Sequence, residues 1–215
     1  MLNQIPHSVT DFTQGLVWDN GRLFQSTGHY GESMLQELDP ETGDVIREIP
    51  LDDVYFAEGL ALVNGRLIQL TWKESAALVW DAETFEPVEE FSYDTEGWGL
   101  CYDGETLWMS DGSPNLFRRD AETFDLLDTV PVTIEGQPVP QINELECVGD
   151  DVWANVWQTP AIIRIDKATG EVTAVVDMRG LITPEIAENW TTGAVLNGIA
   201  WNPESETFLA TGKTW

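Results

Sequence analysis

The chain has 215 residues, enough for one domain with a substantial core. Its formal net charge of −28, from 38 acidic and 10 basic residues, argues against binding to nucleic acid or to an anionic membrane surface. No apolar run is long enough to cross a bilayer, and the start, MLNQIPHSVTDF, lacks the charged and apolar segments of a signal peptide.

A repeated unit follows the chain from its beginning. The stretches FTQGLVWDNGRL (residues 12–23) and FAEGLALVNGRL (residues 56–67) keep the same aromatic, Gly-Leu, Asn-Gly, Arg and Leu positions. Aligned on the glycine of the Gly-Leu pair, the units start at residues 15, 59, 99, 144 and 198, and Glu144 replaces that glycine in the fourth unit. The starts are therefore 40 to 54 residues apart, a spacing that is typical of propellers and solenoids.

Turn motifs predict four antiparallel strands in each unit. Asn20-Gly21, Asn64-Gly65 and Asp103-Gly104 favour tight hairpins, because Asn, Asp and Gly tolerate positive φ. A second motif, DPETG, DAETF or DKATG, follows in four units. The sequence therefore predicts an all-β, five-bladed β-propeller with four-stranded blades, in which residues 1–215 form a single domain.

Two details of this prediction concern the end of the chain. The fifth unit reaches Trp215 after two strands, and residues 1–11 add at most one short strand, so we expect the last blade to be incomplete. Residues 181–194, LITPEIAENWTTGA, are predicted to hold a short helix within a long insertion.

The two cysteines, Cys101 and Cys147, fall in apolar stretches that resemble strands. Neither belongs to a CxxC motif or a Cys/His cluster, which argues against a zinc site. We expect two buried free thiols, with a disulfide as the alternative.

Equivalent positions of the repeats form rings around a propeller axis, so the positions that vary are candidate site residues. The position before the shared glycine holds Gln14, Glu58, Trp98, Asn143 and Asn197. After the second strand of each unit come Gly28, Trp72, Gly112, Trp157 and Gly212, and then His29, Lys73, Ser113, Gln158 and Lys213. A concave site with aromatic walls and a few polar groups is the expected form of a ligand site.

The ordered motifs DFTQGL, FAEGL, LTWK, EGWGL, NELE, VWANVWQT and TGKTW resemble those of the glutaminyl-peptide cyclotransferases of plants and bacteria. The resemblance extends from His7 to Trp215. It implies a five-bladed propeller with no catalytic metal or other cofactor. It further implies an enzyme that converts N-terminal glutaminyl residues of peptides and proteins to pyroglutamyl residues and releases ammonia.

The same resemblance assigns candidate roles to residues of the predicted rings. Glu58 is the expected proton shuttle, and Lys213 and Asn143 are expected to stabilise the oxyanion that forms during the reaction. The expected substrate-binding residues are Gln14, Trp72, Trp98, Trp157, Phe12 and Phe56.

Two other functions stay open at this point. In a calcium-dependent propeller of the lactonase type, Glu58, Asn143 and Asn197 would bind the metal through oxygen, although Lys213 would repel it. In a non-catalytic propeller, the aromatic residues would only capture peptide ends.

We expect a monomer whose partners are peptides or proteins with N-terminal glutamine. The resemblance suggests a periplasmic or secreted protein, but no signal peptide is recognised in this sequence, so the compartment is left unassigned.

Overall fold

Short hairpins build four antiparallel sheets of four strands each in the computed structural model, which describes residues 3–188 and 195–215. Within each sheet the strands pair in chain order. The first sheet contains β1 (Thr13–Asp19), β2 (Arg22–Thr27), β3 (Met34–Leu38) and β4 (Val45–Pro50). The second contains β5 (Ala57–Val63), β6 (Arg66–Thr71), β7 (Ala76–Asp81) and β8 (Pro87–Ser92).

The remaining strands follow the same pattern, apart from two small sheets. The third sheet contains β9 (Leu100–Tyr102), β10 (Thr106–Met109), β11 (Asn115–Asp120) and β12 (Leu126–Pro131). The fourth contains β15 (Ile142–Val148), β16 (Asp151–Val156), β17 (Ala161–Asp166) and β18 (Val172–Asp177). The two-stranded sheets are β13 (Thr133–Ile134) with β14 (Gln137–Pro138), and β19 (Leu196–Asn202) with β20 (Thr207–Gly212).

The first strands of successive sheets lie side by side around an axis. Strand β1 contacts β5, β5 contacts β9, and β9 contacts β15. Strand β19 lies between β15 and β1 and so closes the ring. The main buried clusters lie between neighbouring sheets; one of them, for example, joins Leu70 and Val79 of the second sheet to Leu107 and Met109 of the third. This arrangement is a β-propeller.

The prediction of five four-stranded blades is wrong. The structure has four such blades, and the fifth repeat contributes only the pair β19–β20. Residues 3–12 contribute no strand. After β20, Thr214 N donates to Asp11 O of the N-terminal segment.

The predicted turns lie between the predicted strands. In the second turn motif the first aspartate accepts hydrogen bonds at Oδ1 from the backbone N–H groups two and three residues ahead, as at Asp39 and Asp81. These bonds hold the pKa of both carboxyls below its usual range. The predicted helix is α1 (Pro184–Glu188), preceded by a 3-10 turn at Arg179–Leu181, and residues 189–194 lie outside the described residues. No helix in the described chain is long and apolar enough to cross a membrane.

Near the axis the strands approach so closely that a side chain has no room at Gly59, where a Cβ would lie 2.6 Å from Leu100 N. Glu144 occupies the equivalent position of the fourth repeat and uses it differently. Its Oε1 accepts a hydrogen bond from Leu16 N at 3.2 Å and its Oε2 accepts one from Ile199 N at 2.9 Å. One buried carboxyl group therefore connects the fourth blade to β1 and β19, and burial raises its pKa well above the usual value.

Cys101 and Cys147 form a disulfide, with their Cα atoms 5.5 Å apart. The expectation of two free thiols is therefore wrong, and the alternative is the correct one. The bond joins β9 of the third blade to β15 of the fourth, and the two cysteines are separated by 46 residues in sequence.

Removing this disulfide should destabilise the fold and spare the chemistry. Closing a loop of this length restricts the unfolded chain by roughly 4 kcal/mol in the chain-entropy model. We expect the double variant Cys101→Ser and Cys147→Ser to lose about 2–4 kcal/mol of unfolding free energy, measured by denaturant titration. The parent in reducing agent serves as the control, and equal stability of all three samples would contradict the prediction.

Candidate active site

The polar side chains before the shared glycines converge because the innermost strands bulge there. The pairing register of β1 with β2 shifts between Thr13 and Gly15, at Gln14, and that of β5 with β6 shifts between Ala57 and Leu60, at Glu58. The same shift occurs in β15 at Asn143 and in β19 at Asn197. Because a β-bulge re-aims a side chain, these residues can leave the usual alternation of a strand.

Two side-chain amides, hydrogen-bonded one to the other, hold Glu58 in place. Its Oε1 accepts a hydrogen bond from Gln14 Nε2 at 3.0 Å, and Gln14 Oε1 accepts one from Asn197 Nδ2 at 3.3 Å. Asn197 Nδ2 also donates to Thr13 O at 3.0 Å. Glu58 is only 5% exposed. Among the described residues no group donates to its Oε2, which leaves that atom available to a ligand.

Lys213 is the cation of this site. It is 4% exposed, and its Nζ lies 4.8 Å from the centre of the Phe12 ring. Burial lowers the pKa of Lys213 to about 8, against the opposing effect of the Glu58 charge. No acceptor in the described part of the chain takes a hydrogen bond from Nζ. A buried ammonium group without an acceptor is suited to binding an oxygen atom of a ligand.

Burial raises the pKa of Glu58 well above the usual carboxyl value, and the positive charge of Lys213 opposes this effect. The negative charges of Glu96 and Glu74 raise the pKa further. A carboxyl group with a raised pKa accepts and holds a proton more readily than an exposed glutamate does, as general acid–base catalysis requires.

Asn143 presents a third uncommitted polar group. The residue is 2% exposed, and its Oδ1 is buried with no hydrogen-bond partner among the described residues. Its backbone O accepts from Ser110 Oγ, which anchors the main chain at this point. Because an unpaired buried polar atom is costly, an amide held in this way indicates a ligand position.

Aromatic side chains line the site from several blades. Phe56 contacts Phe12 and Trp72, with ring centres 6.2 Å and 5.5 Å apart, and Trp98 contacts Trp157 at 5.6 Å. All five rings are half-buried. We call these five residues the aromatic wall.

The glycines that follow the second strand of a repeat make room for the aromatic wall. A Cβ at Gly28 would lie 2.4 Å from Phe56 Cε1, and one at Gly112 would lie 2.7 Å from the indole of Trp98. The alternation of Trp and Gly seen in the sequence therefore has a steric cause.

Two further residues of the sequence-predicted rings are exposed and contact the aromatic wall. Lys73 is exposed, and its Nζ lies 3.7 Å from the centre of the Trp72 ring. His29 is also exposed and packs against Phe12, with ring centres 4.4 Å apart.

The role of Glu96 and the contact of Asn197 with Gln14 were not predicted from the sequence. Glu96 Oε2 accepts hydrogen bonds from both Trp72 Nε1, at 2.7 Å, and Trp98 Nε1, at 3.0 Å. The available signal was its place in EGWGL, two residues before Trp98. The described residues contain no group of three or more His, Cys, Asp or Glu side chains arranged for a metal ion.

The fold and this site are those of an enzymatic β-propeller, in which a buried carboxyl group, a buried ammonium group and the aromatic wall lie near the axis. The sequence matches the family described as glutamine cyclotransferase over residues 1–215, and the chain belongs to that family.

Two relatives support the assignment. The glutaminyl-peptide cyclotransferase of Arabidopsis thaliana is 37% identical over 214 residues, which cover 99% of this chain and 67% of that protein. The crystal structure of the Myxococcus xanthus glutaminyl cyclase superposes with a TM-score of 0.91 at 40% identity, over 100% of this chain and 91% of that one. The hydrazine synthase of Kuenenia stuttgartiensis shares only the fold, with a TM-score of 0.56 at 14% identity over 97% of this chain and 57% of that one.

Proposed function

We propose that the site around Glu58 carries out glutaminyl-peptide cyclotransfer, the activity that the family defines. The substrates are peptides or proteins with an N-terminal glutamine, and the products are the pyroglutamyl form and ammonia. The observation that carries the proposal is that a buried carboxyl group, fixed by Gln14, and the buried ammonium group of Lys213 beside the aromatic wall lie close enough for their charges to interact.

The reaction sets three tasks. The substrate α-amine attacks its own γ-carboxamide carbon, so that a C–N bond forms and the carbonyl oxygen gains negative charge. The attacking nitrogen must then lose a proton, and the leaving nitrogen must gain one before the original C–N bond breaks and ammonia departs. A single carboxyl group can accept the first proton and deliver it to the leaving nitrogen, which balances the reaction without any other reagent.

Glu58 is placed for this transfer. Its Oε1 is held by Gln14, and its Oε2 is open to the substrate. The α-amino group of a peptide has a pKa of about 7.7–8.0. Because burial raises the pKa of Glu58, proton transfer from the amine to this carboxyl group is less unfavourable than it would be to an exposed glutamate.

The ammonium group of Lys213 and the Nδ2 amide group of Asn143 would donate to the developing oxyanion, and the unpaired Asn143 Oδ1 would accept an N–H group of the substrate. Both are buried, and neither side chain makes a hydrogen bond with a described residue. Preorganised donors of this kind act strongly because they need no reorganisation when the charge appears.

The aromatic wall and Gln14 would hold the glutaminyl chain in a conformation close to ring closure. Intramolecular attack is fast when the reacting atoms are kept near contact distance, and apolar walls also exclude water that would compete with the amine. Gln14 is already oriented by Asn197, so its amide is a fixed element of the site.

The direct test is ammonia release from a Gln-dipeptide, with EDTA present and the cyclic product identified by mass. We expect release at an unchanged rate with and without EDTA. Binding of the dipeptide without ammonia release would instead identify a non-catalytic peptide-binding propeller. Loss of activity in EDTA, with hydrolysis of a lactone restored by calcium, would identify the lactonase-type alternative.

A further inference from the structure

One charged side chain at the site has no part in the proton transfer described above. Glu96 follows β8 and lies close to the aromatic wall, where its Oε2 accepts hydrogen bonds from the indole N–H groups of Trp72 and Trp98. Indole nitrogen only donates hydrogen bonds, so each of these two partly buried indoles needs an acceptor, and one carboxylate oxygen serves both.

The two indoles belong to different parts of the propeller. Trp72 follows β6 of the second blade and packs against Phe56. Trp98 precedes β9 of the third blade and packs against Trp157, which follows β16 of the fourth. A single carboxylate oxygen therefore links the Phe56–Trp72 pair to the Trp98–Trp157 pair.

The main chain around Glu96 is itself anchored. Gly97 N donates to Trp72 O at 2.9 Å, and Trp98 N donates to Ser110 O at 3.0 Å. Ser75 Oγ donates to Thr95 O at 3.3 Å. These bonds tie the segment to both neighbouring blades, so the carboxylate is held at a defined place between the indoles.

We propose that Glu96 is a positioning residue that sets the distance and orientation between the two halves of the aromatic wall and thereby the fit of the glutaminyl side chain. This proposal rests on the proposed function, because it assumes that the wall binds the substrate. A carboxylate suits the task, since hydrogen bonds to a charged acceptor are shorter and stronger than those to a neutral one.

Glu96 acts on the site in a second way through its charge. The charged groups that affect Glu58 are Lys213, which favours the carboxylate, and Glu96 and Glu74, which disfavour it. Glu74 accepts from Tyr30 Oη at 2.8 Å and from Phe56 N at 3.4 Å, bonds that the amide oxygen of a glutamine can also accept, and it bonds to neither indole nitrogen. Glu74 is therefore a matched control for the charge of Glu96 without its indole contacts.

Three variants separate position from charge in steady-state cyclisation of a Gln-dipeptide. Glu96→Asp keeps the charge but shortens the reach, so KM should rise roughly 10- to 100-fold, as expected for losing a charge-assisted hydrogen bond, while the pH profile keeps its place. Glu74→Gln should keep KM and move the acid limb of kcat/KM to lower pH, because a negative charge near Glu58 is lost. Glu96→Gln should show both effects.

The outcomes decide the proposal, provided that far-UV circular dichroism shows each variant to be folded. A parental KM in both Glu96 variants would overturn it. If the parent itself releases no ammonia, the proposed function fails, and the affinity for the Gln-dipeptide by calorimetry becomes the readout. Weaker binding in Glu96→Asp than in Glu74→Gln would then support the positioning role, and equal binding would overturn it.

Discussion

Replacing Glu58 with glutamine should lower kcat for Gln-dipeptide cyclisation by roughly 10²- to 10⁴-fold, the usual contribution of a positioned acid–base group. The amide has nearly the same size as the carboxyl group, and its oxygen can still accept the hydrogen bond from Gln14 Nε2. It cannot take a proton from the attacking amine. The variant should therefore fold normally and bind substrate but turn over slowly, as measured by ammonia release and thermal unfolding.

The control is Glu146→Gln. Glu146 is another carboxyl group whose pKa is raised by burial, to about 8, but it accepts a hydrogen bond from Trp201 N and lies outside the site. Replacing this carboxyl group should leave kcat within about threefold of the parent value, whereas the Glu58 variant should not. A Glu58→Gln enzyme with near-parental kcat would remove Glu58 from the mechanism.

Replacing Lys213 with methionine should lower kcat by roughly 10²- to 10³-fold, because a preorganised donor to the oxyanion is lost. The matched control is Lys73→Met, at the equivalent position of the second repeat, whose side chain is exposed. Its effect on kcat should be less than about threefold. Equal kcat values for the two methionine variants would exclude Lys213 from a role in the chemistry.

The role of Lys213 also predicts the direction in which the pH profile of activity should move. The parent should lose activity as the pH rises through about 8, because Lys213 loses its proton there. Lys213→Arg, which stays charged, should move this alkaline limb to higher pH. In Lys213→Met the acid limb should also move to higher pH, because the charge that lowers the pKa of Glu58 is absent.

The sequence predicted the repeat, the hairpin turns and the all-β propeller because Asn-Gly and Asp turns restrict the chain locally. The number of four-stranded blades was overestimated, because a repeat start marks a first strand and does not guarantee the third and fourth. The convergence of Gln14 with Glu58 was predictable from their shared repeat position. The shared acceptor at Glu96 was not, because indole orientation depends on packing between blades.

The cysteines illustrate the same limit. Cys101 and Cys147 are far apart in sequence, and their pairing follows from the contact of β9 with β15. Nothing in the spacing of two isolated cysteines distinguishes a bond across two blades from two separate buried thiols. The prediction of two free thiols was wrong for this reason.

The carboxyl group of Glu144 makes the repeats unequal in a way that matters for how such a propeller can be rebuilt. The first three repeats and the fifth have glycine at this position. A fourth unit copied from any of them would leave the backbone N–H groups of Leu16 and Ile199 without their acceptor. A propeller built from identical copies of one glycine-containing repeat would therefore lack these two hydrogen bonds. In this chain they distinguish the fourth blade from the others and fix its position next to β1 and β19.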